Sequence, residues 1–341
     1  MRAGFALLLT VLMLAGCGGQ QNGTPESDDT AAPSSANAAA PSSAEPAASG
    51  PVKVAFVANN PSEFWQIAKA GTAQAAEELG CEVEFKIPAD GSAQTQQQIV
   101  EDLIARGVSG IAISPCAPAH QTEMLNRTAA QVNLITQDSD APQSDRICYI
   151  GTNNYEAGQA AGELLKEVLP EGGEIMLFVG SMDAQNARDR KKGIEDTIEG
   201  AGITIVDTRT DRGDRMQAIA NVQDALVANP ELDCLVGLWS YNGPAILNGV
   251  RDSGKLGDVS IVCFDEEDET LQGIKDGHII GTIVQQPYEF GYQSVYLLND
   301  LAKGDKSGVP EDRQIFIPVR TIKRHNVDEF LAEMEQLLSQ S

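Results

Sequence analysis

Two aspartates define the chemistry on offer. Asp138 follows Leu134-Ile135-Thr136-Gln137 and Asp265 follows Ile261-Val262-Cys263-Phe264, so each stands where a short apolar strand ends. An ionised carboxylate accepts two hydrogen bonds at once, and such charge-assisted bonds are the strong ones. A turn-forming Asp138, or an Asp265 capping a helix that begins near Glu267, is the plainer use of the same positions. The other strand ends carry Asn59-Asn60, Ser114-Pro115-Cys116, Gly180-Ser181-Met182-Asp183, Trp239-Ser240-Tyr241-Asn242 and Gln285-Gln286-Pro287. Amides, hydroxyls and aromatics with few cations suit a neutral, hydroxyl-rich small molecule. Asp138 and Asp265 also have the residue types of a glycosidase pair. However, His120, His278 and His325 are isolated, and neither GxSxG, HExxH nor a Cys/His cluster occurs. Nothing activates a nucleophile, so the chain is expected to be no enzyme and to use no cofactor and no metal.

These residues need a scaffold, and the apolar pattern supplies one. Strands are expected over 52–57, 83–87, 110–114, 132–136 and 147–150, with helices over 62–79, 96–106 and 120–131 between them. The alternation then repeats, with helices over 155–169, 186–199, 215–228, 243–252 and 267–276. Strands over 174–179, 203–207, 234–239, 260–264 and 279–284 separate them. Strands alternating with helices imply parallel sheets covered on both faces. Two such sets make an α/β protein of two doubly wound parallel-sheet lobes with a cleft between them. In open α/β sheets ligands lie beyond the carboxyl ends of the strands, where both aspartates stand.

Upstream, Met1-Arg2 and an apolar run from Phe5 to Leu14 lead into Leu14-Ala15-Gly16-Cys17. A charged start, an apolar core too short to span a bilayer and small residues before a cut read as a removable export signal over 1–16. Cys17 is the expected lipid acceptor, which places the protein outside the cytoplasm on a lipid anchor. Residues 17–50 contain no aromatic side chain and read as a disordered linker. The net charge of −25 repels phosphate backbones, so nucleic acid is excluded as a partner. Beyond Cys17, Cys81, Cys116, Cys148, Cys234 and Cys263 have no CxxC spacing and read as small buried hydrophobes, with one disulfide left open.

Several ordered motifs carry a family resemblance. They are Val57-Ala58-Asn59-Asn60-Pro61 with Phe64-Trp65, Thr136-Gln137-Asp138, and Ile150-Gly151-Thr152-Asn153-Asn154 with Ala157-Gly158. Asn186-Ala187-Arg188-Asp189-Arg190 with Gly193, Cys263-Phe264-Asp265 and Ile283-Val284-Gln285-Gln286-Pro287 follow in order. Over about 52–323 the chain resembles the type I periplasmic sugar-binding proteins, the ribose-binding-like receptors of ABC transporters. The resemblance implies a monomer that closes about a hinge on one small sugar and delivers it to an ABC permease, meeting the membrane only through its lipid. A receptor reporting to a membrane sensor would use the same pocket. Three crossings are implied near Asn153-Asn154, Gln285-Gln286 and 314–316. They divide the body into an N-terminal lobe over 52–153 plus 286–314 and a C-terminal lobe over 154–285 plus 315–326. A helix or tail follows over 327–341.

The resemblance also assigns roles. Trp65, and with it Phe64, would stack on the sugar's C–H faces, and Trp239 would offer a second platform opposite. Asp138 and Asp265 would accept hydroxyls. Arg190, with Arg188 as its rival, would donate to ring and hydroxyl oxygens, and Gln285 would serve as an amide ligand. Asn60 and Ser114 complete the set. Ribose-type binders often place Arg directly after the first aspartate, where this chain has Ser139 and then Asp140. That substitution argues against ribose itself. Asp140 and the Glu266-Glu267-Asp268 run extend the candidate ligands to an amino sugar, and a nucleoside also stays open.

Overall fold

The computed structural model describes residues 50–62 and 64–339; the export signal, Cys17 and the linker over 17–49 lie outside the described residues. The first lobe begins with β1 (Lys53–Val57), α1 (Phe64–Leu79), β2 (Glu82–Lys86), α2 (Ala93–Ala105) and β3 (Gly110–Ile113). It continues through α3 (Pro118–Ala129), β4 (Asn133–Gln137) and β5 (Tyr149–Gly151). The second lobe runs α4 (Asn154–Val168), β6 (Gly173–Val179), α5 (Gln185–Ile198), β7 (Ile203–Thr210), α6 (Arg215–Ala228) and β8 (Cys234–Gly237). Then come α7 (Asn242–Asp252), β9 (Ser260–Phe264), α8 (Asp268–Asp276) and β10 (Gly281–Val284). The chain returns to the first lobe for α9 (Pro287–Ala302) and β11 (Gln314–Phe316), and to the second for β12 (Arg320–Lys323) and α10 (Val327–Ser339).

The two sheets repeat one order. The first reads β2-β1-β3-β4-β5-β11 and the second β7-β6-β8-β9-β10-β12. All neighbours are parallel except β10 and β12. Successive residues feed opposite faces, as strand geometry requires. In β1, Val54 and Phe56 enter one core and Ala55 and Val57 the other. In β6, Met176 and Phe178 alternate in the same way with Ile175, Leu177 and Val179. Being buried on both faces is why these strands read as unbroken apolar runs.

Three strand-to-element passages join the lobes. Asn153 caps α4 by accepting the Glu156 N–H, and Gln285-Gln286 link β10 to α9. The third passage lies later than the 314–316 expected. β11 stays in the first sheet through Phe316, and Ile317 packs in the first lobe's core. Val319 already packs in the second lobe, so the chain crosses at Pro318. Gln286 donates to the Pro318 carbonyl at 2.7 Å and ties the second passage to the third. The last helix, α10, is rooted in the second lobe by Val327 and Phe330 and also touches α1 of the first.

Candidate functional site

Asp138 and Asp265 occupy the same place in the two lobes. Each is the first residue beyond the fourth strand of its sheet order, β4 or β9. Both adopt left-handed backbone, with φ of 57° and 66°, a conformation that costs energy in any residue but glycine. The neighbouring strand holds each one there. Asp138 N–H donates to Ile150 O at 3.1 Å, and Asp265 N–H to Ile283 O at 2.9 Å. Each aspartate's own carbonyl accepts a hydroxyl from the residue before that acceptor: Tyr149 at 2.9 Å in one lobe, Thr282 at 2.7 Å in the other. The turn that aims each carboxylate is therefore built twice by one rule.

Side chains at adjacent strand ends then fix each carboxylate. Around Asp138, the Ser114 hydroxyl donates to Oδ2 at 2.8 Å and Asn59 Nδ2 to the same oxygen at 3.1 Å, while Asn59 also donates to Ser114 at 2.8 Å. Burial pushes the Asp138 carboxyl up to about 6; the Ser114 hydrogen bond opposes this, and the Asp265 charge adds to it. Around Asp265, Gln285 Nε2 donates to Oδ1 at 2.9 Å and Arg190 Nη1 stands 3.8 Å from Oδ2. Burial raises this carboxyl as well, against the Arg190 charge and the Gln285 hydrogen bond.

Arg190 is buried at 2 % exposure. Its Nε donates to Asn154 Oδ1 at 2.9 Å, Nη1 to Leu238 O at 2.6 Å, and its guanidinium lies 4.4 Å above the Phe264 ring. The close crossing of α4 and α5 puts it there. A Cβ on Gly158 would stand 2.1 Å from Arg190 O, and one on Gly193 the same distance from Tyr155 O. The rival Arg188 is exposed and bonds the carbonyls of Met182 and Asp183.

Aromatic placement is the main correction. Trp65 is 1 % exposed in the first lobe's core, its ring edge-on to Phe56 at 6.1 Å, so it does not face an open pocket. Phe64, half-buried and 5.0 Å from Trp65, is the ring left nearer solvent. Trp239 is half-buried at the end of β8, with its indole N–H 3.3 Å from Asn186 Oδ1. Asn60 is exposed and only donates to Asn59, at 2.7 Å; its neighbour Asn59 is the residue on the carboxylate. Asp140 does not make the pocket acidic either. Arg146, 5 % exposed, grips it through Nε at 2.5 Å and Nη2 at 2.6 Å, and donates through Nη1 to Arg313 O at 3.0 Å. In the acidic run, Glu267 pairs with Arg215 at 3.2 Å and burial raises Glu266 well above the usual carboxylate range. The five body cysteines are free thiols. No cluster of His, Cys, Asp and Glu suited to a metal occurs among the described residues.

The two strand ends thus gather two oriented acceptors, one guanidinium and amides from both lobes. A family model described as periplasmic binding protein domain matches residues 54–306, and the chain belongs to that family, with its type I two-lobed fold. Among relatives, the ribose import binding protein of Salmonella typhimurium is 25% identical over 251 residues, 73% of this chain and 83% of that one. The D-allose-binding periplasmic protein of Escherichia coli K12 is 26% identical over 266 residues, 75% of this chain and 85% of that one. Among solved structures, an ABC transporter solute-binding protein from Burkholderia graminis in complex with D-arabinose is 32% identical with a TM-score of 0.75, covering 81% of this chain and 96% of that one. An arabinose-binding protein from Geobacillus stearothermophilus is 25% identical with a TM-score of 0.74, covering 82% and 99%.

Proposed function

We propose that this protein is an extracytoplasmic receptor that closes its two lobes on a monosaccharide and presents it to an ABC permease. The observation that carries the reading is the matched pair of left-handed aspartates, one from each lobe, with Arg190 beside Asp265. A ring bearing hydroxyls on several edges satisfies acceptors on both lobes only when the lobes are closed, which links binding to hinge motion. Phe64 and Trp239 supply faces for the ring's C–H surfaces, and Ser114, Gln285 and the Asn59-Asn60 pair complete the polar shell. No chemical step belongs to the reading, because both carboxylates are held as acceptors and the relatives are binding proteins. Lipid attachment at Cys17 and a monomeric state complete the proposal.

Calorimetry and thermal shift against D-ribose, D-allose, D-arabinose, D-xylose, D-glucose and D-galactose test it. A sugar at about 100 times its Kd adds about 2.7 kcal/mol of stability. The substitution Asp265→Asn keeps a residue that tolerates left-handed backbone while removing the charge. It is expected to weaken the best sugar about 10- to 100-fold with the fold intact, since charge-assisted bonds contribute roughly 1.5–3 kcal/mol. Unchanged affinity would remove Asp265 from the site.

A further inference from the structure

Asp211, the first residue beyond β7, is 3 % exposed, and three neutral donors meet its carboxylate. They are the Tyr241 hydroxyl, Asn242 Nδ2 at 3.2 Å and the Gly213 N–H at 2.8 Å. The loop that carries it is pinned to the end of β6 by Asp211 N–H to Val179 O at 3.2 Å and Arg212 N–H to Gly180 O at 2.8 Å. Two of the donors lead directly to Trp239. Asn242 Oδ1 accepts the Trp239 backbone N–H at 3.1 Å, and the Tyr241 ring meets the indole edge-on, 6.3 Å between centroids at 67°. Arg215 lies over the Tyr241 ring at 5.6 Å. Beneath the indole, a Cβ on Gly180 would stand 2.0 Å from Trp239 Cζ3 and 2.7 Å from the Tyr241 hydroxyl oxygen.

We propose that Asp211 is a positioning residue for the sugar platform: through Tyr241 and Asn242 it locks Trp239 in the orientation that faces the ligand. The proposal rests on the reading of the cleft as a sugar site. A ring held before the ligand arrives loses little rotamer freedom on binding, so the anchor raises affinity without touching the ligand. A carboxylate suits the task because both of its oxygens accept: Oδ1 takes the Tyr241 hydroxyl and the Gly213 N–H and Oδ2 the Asn242 amide, whereas an asparagine there would offer one accepting oxygen to three donors.

The chain has two tryptophans, so 19F NMR of the 5-fluorotryptophan-labelled protein gives one signal from Trp239 and one from the core residue Trp65, assigned with Trp239→Phe. Both Tyr241→Phe and Asp211→Asn are expected to shift the Trp239 signal toward the solvent-averaged position while the Trp65 signal stays. Affinity for the tightest-binding sugar of the panel should fall about tenfold in the same variants. If the buried Asp211→Asn fails to fold, Tyr241→Phe carries the test alone. An unmoved Trp239 signal, both signals moving together, or a moved signal with full affinity overturns the proposal. Wild-type protein that binds no sugar of the panel overturns the sugar reading instead, and the spectra of the unliganded protein still decide whether Asp211 holds Trp239.

Discussion

With its carboxyl titrating at about 6, Asp138 gives the protein two opposite responses to pH. The folded chain holds this proton between about 4 and 6, where an unfolded chain has released it. The group's contribution to stability is thus complete below about 4 and is lost as pH rises through 6. Sugar binding runs the other way. A carboxylate accepts two hydroxyls and its protonated form accepts fewer, so affinity is expected to fall with pH through 6, by up to about tenfold from pH 7 to pH 5. Calorimetry at pH 5, 6 and 7 measures the second effect, and thermal unfolding of the unliganded chain over pH 4–7 the first. Asp138→Asn should reduce both, and what survives belongs to Asp265 and Glu266, whose carboxyls burial also raises. At this scale strand ends are legible in the sequence, and the structure brings Ser114 onto Asp138 and Gln285 onto Asp265 there. The sequence names Asn60 where the structure puts Asn59 on the carboxylate, because two identical neighbours differ only in which one the strand end turns inward. It assigns both Phe64 and Trp65 to the pocket, because only the phase of α1 about its axis decides which of two adjacent rings is covered. Asp211 leaves no local trace, since its partners Tyr241 and Asn242 lie 30 and 31 residues further on.

Helix crossings decide how accurately Arg190 is held. Gly158 and Gly193 face each other's helix backbones, and a methyl on either meets a carbonyl oxygen 2.1 Å away. Gly193→Ala is therefore expected to cost about 1–3 kcal/mol by forcing α4 and α5 apart, lowering Tm by several degrees. The same displacement withdraws Arg190 from Asp265, so sugar affinity should fall more than the stability loss alone explains. Differential scanning calorimetry and titration on one preparation separate the two effects. Most elements were readable from periodicity because their strands are apolar throughout and their helices show one apolar stripe. α9 was not, since it is rich in tyrosine and carries Gly291 within it, at a crossing where an added Cβ would meet Ala68 O at 2.1 Å. β11, only three residues long, is defined by its pairing with β5 rather than by any pattern of its own.

The whole molecule is one sheet order used twice, and its last segment breaks that repeat. α10 buries Val327 and Phe330 in the second lobe's core, stacks Phe330 beneath Arg320 at 5.3 Å and pairs Asp328 with Lys275 at 2.8 Å. Removing 327–341 is expected to cost about 3 kcal/mol or more from those two side chains alone, visible as a fall in Tm. The truncated chain should also show a larger radius of gyration without sugar and the full chain's value with it, by small-angle scattering. The reason lies in the contact between α10 and α1. It is a link between the lobes that does not run through the three crossings, so parting the lobes must slide or break it as well as bend the hinge. The balance between gaping and shut forms is then partly controlled from the carboxyl terminus. A tag or fusion attached after Ser341 is therefore expected to shift that balance, and tagged and untagged protein would then give different dissociation constants for one pocket.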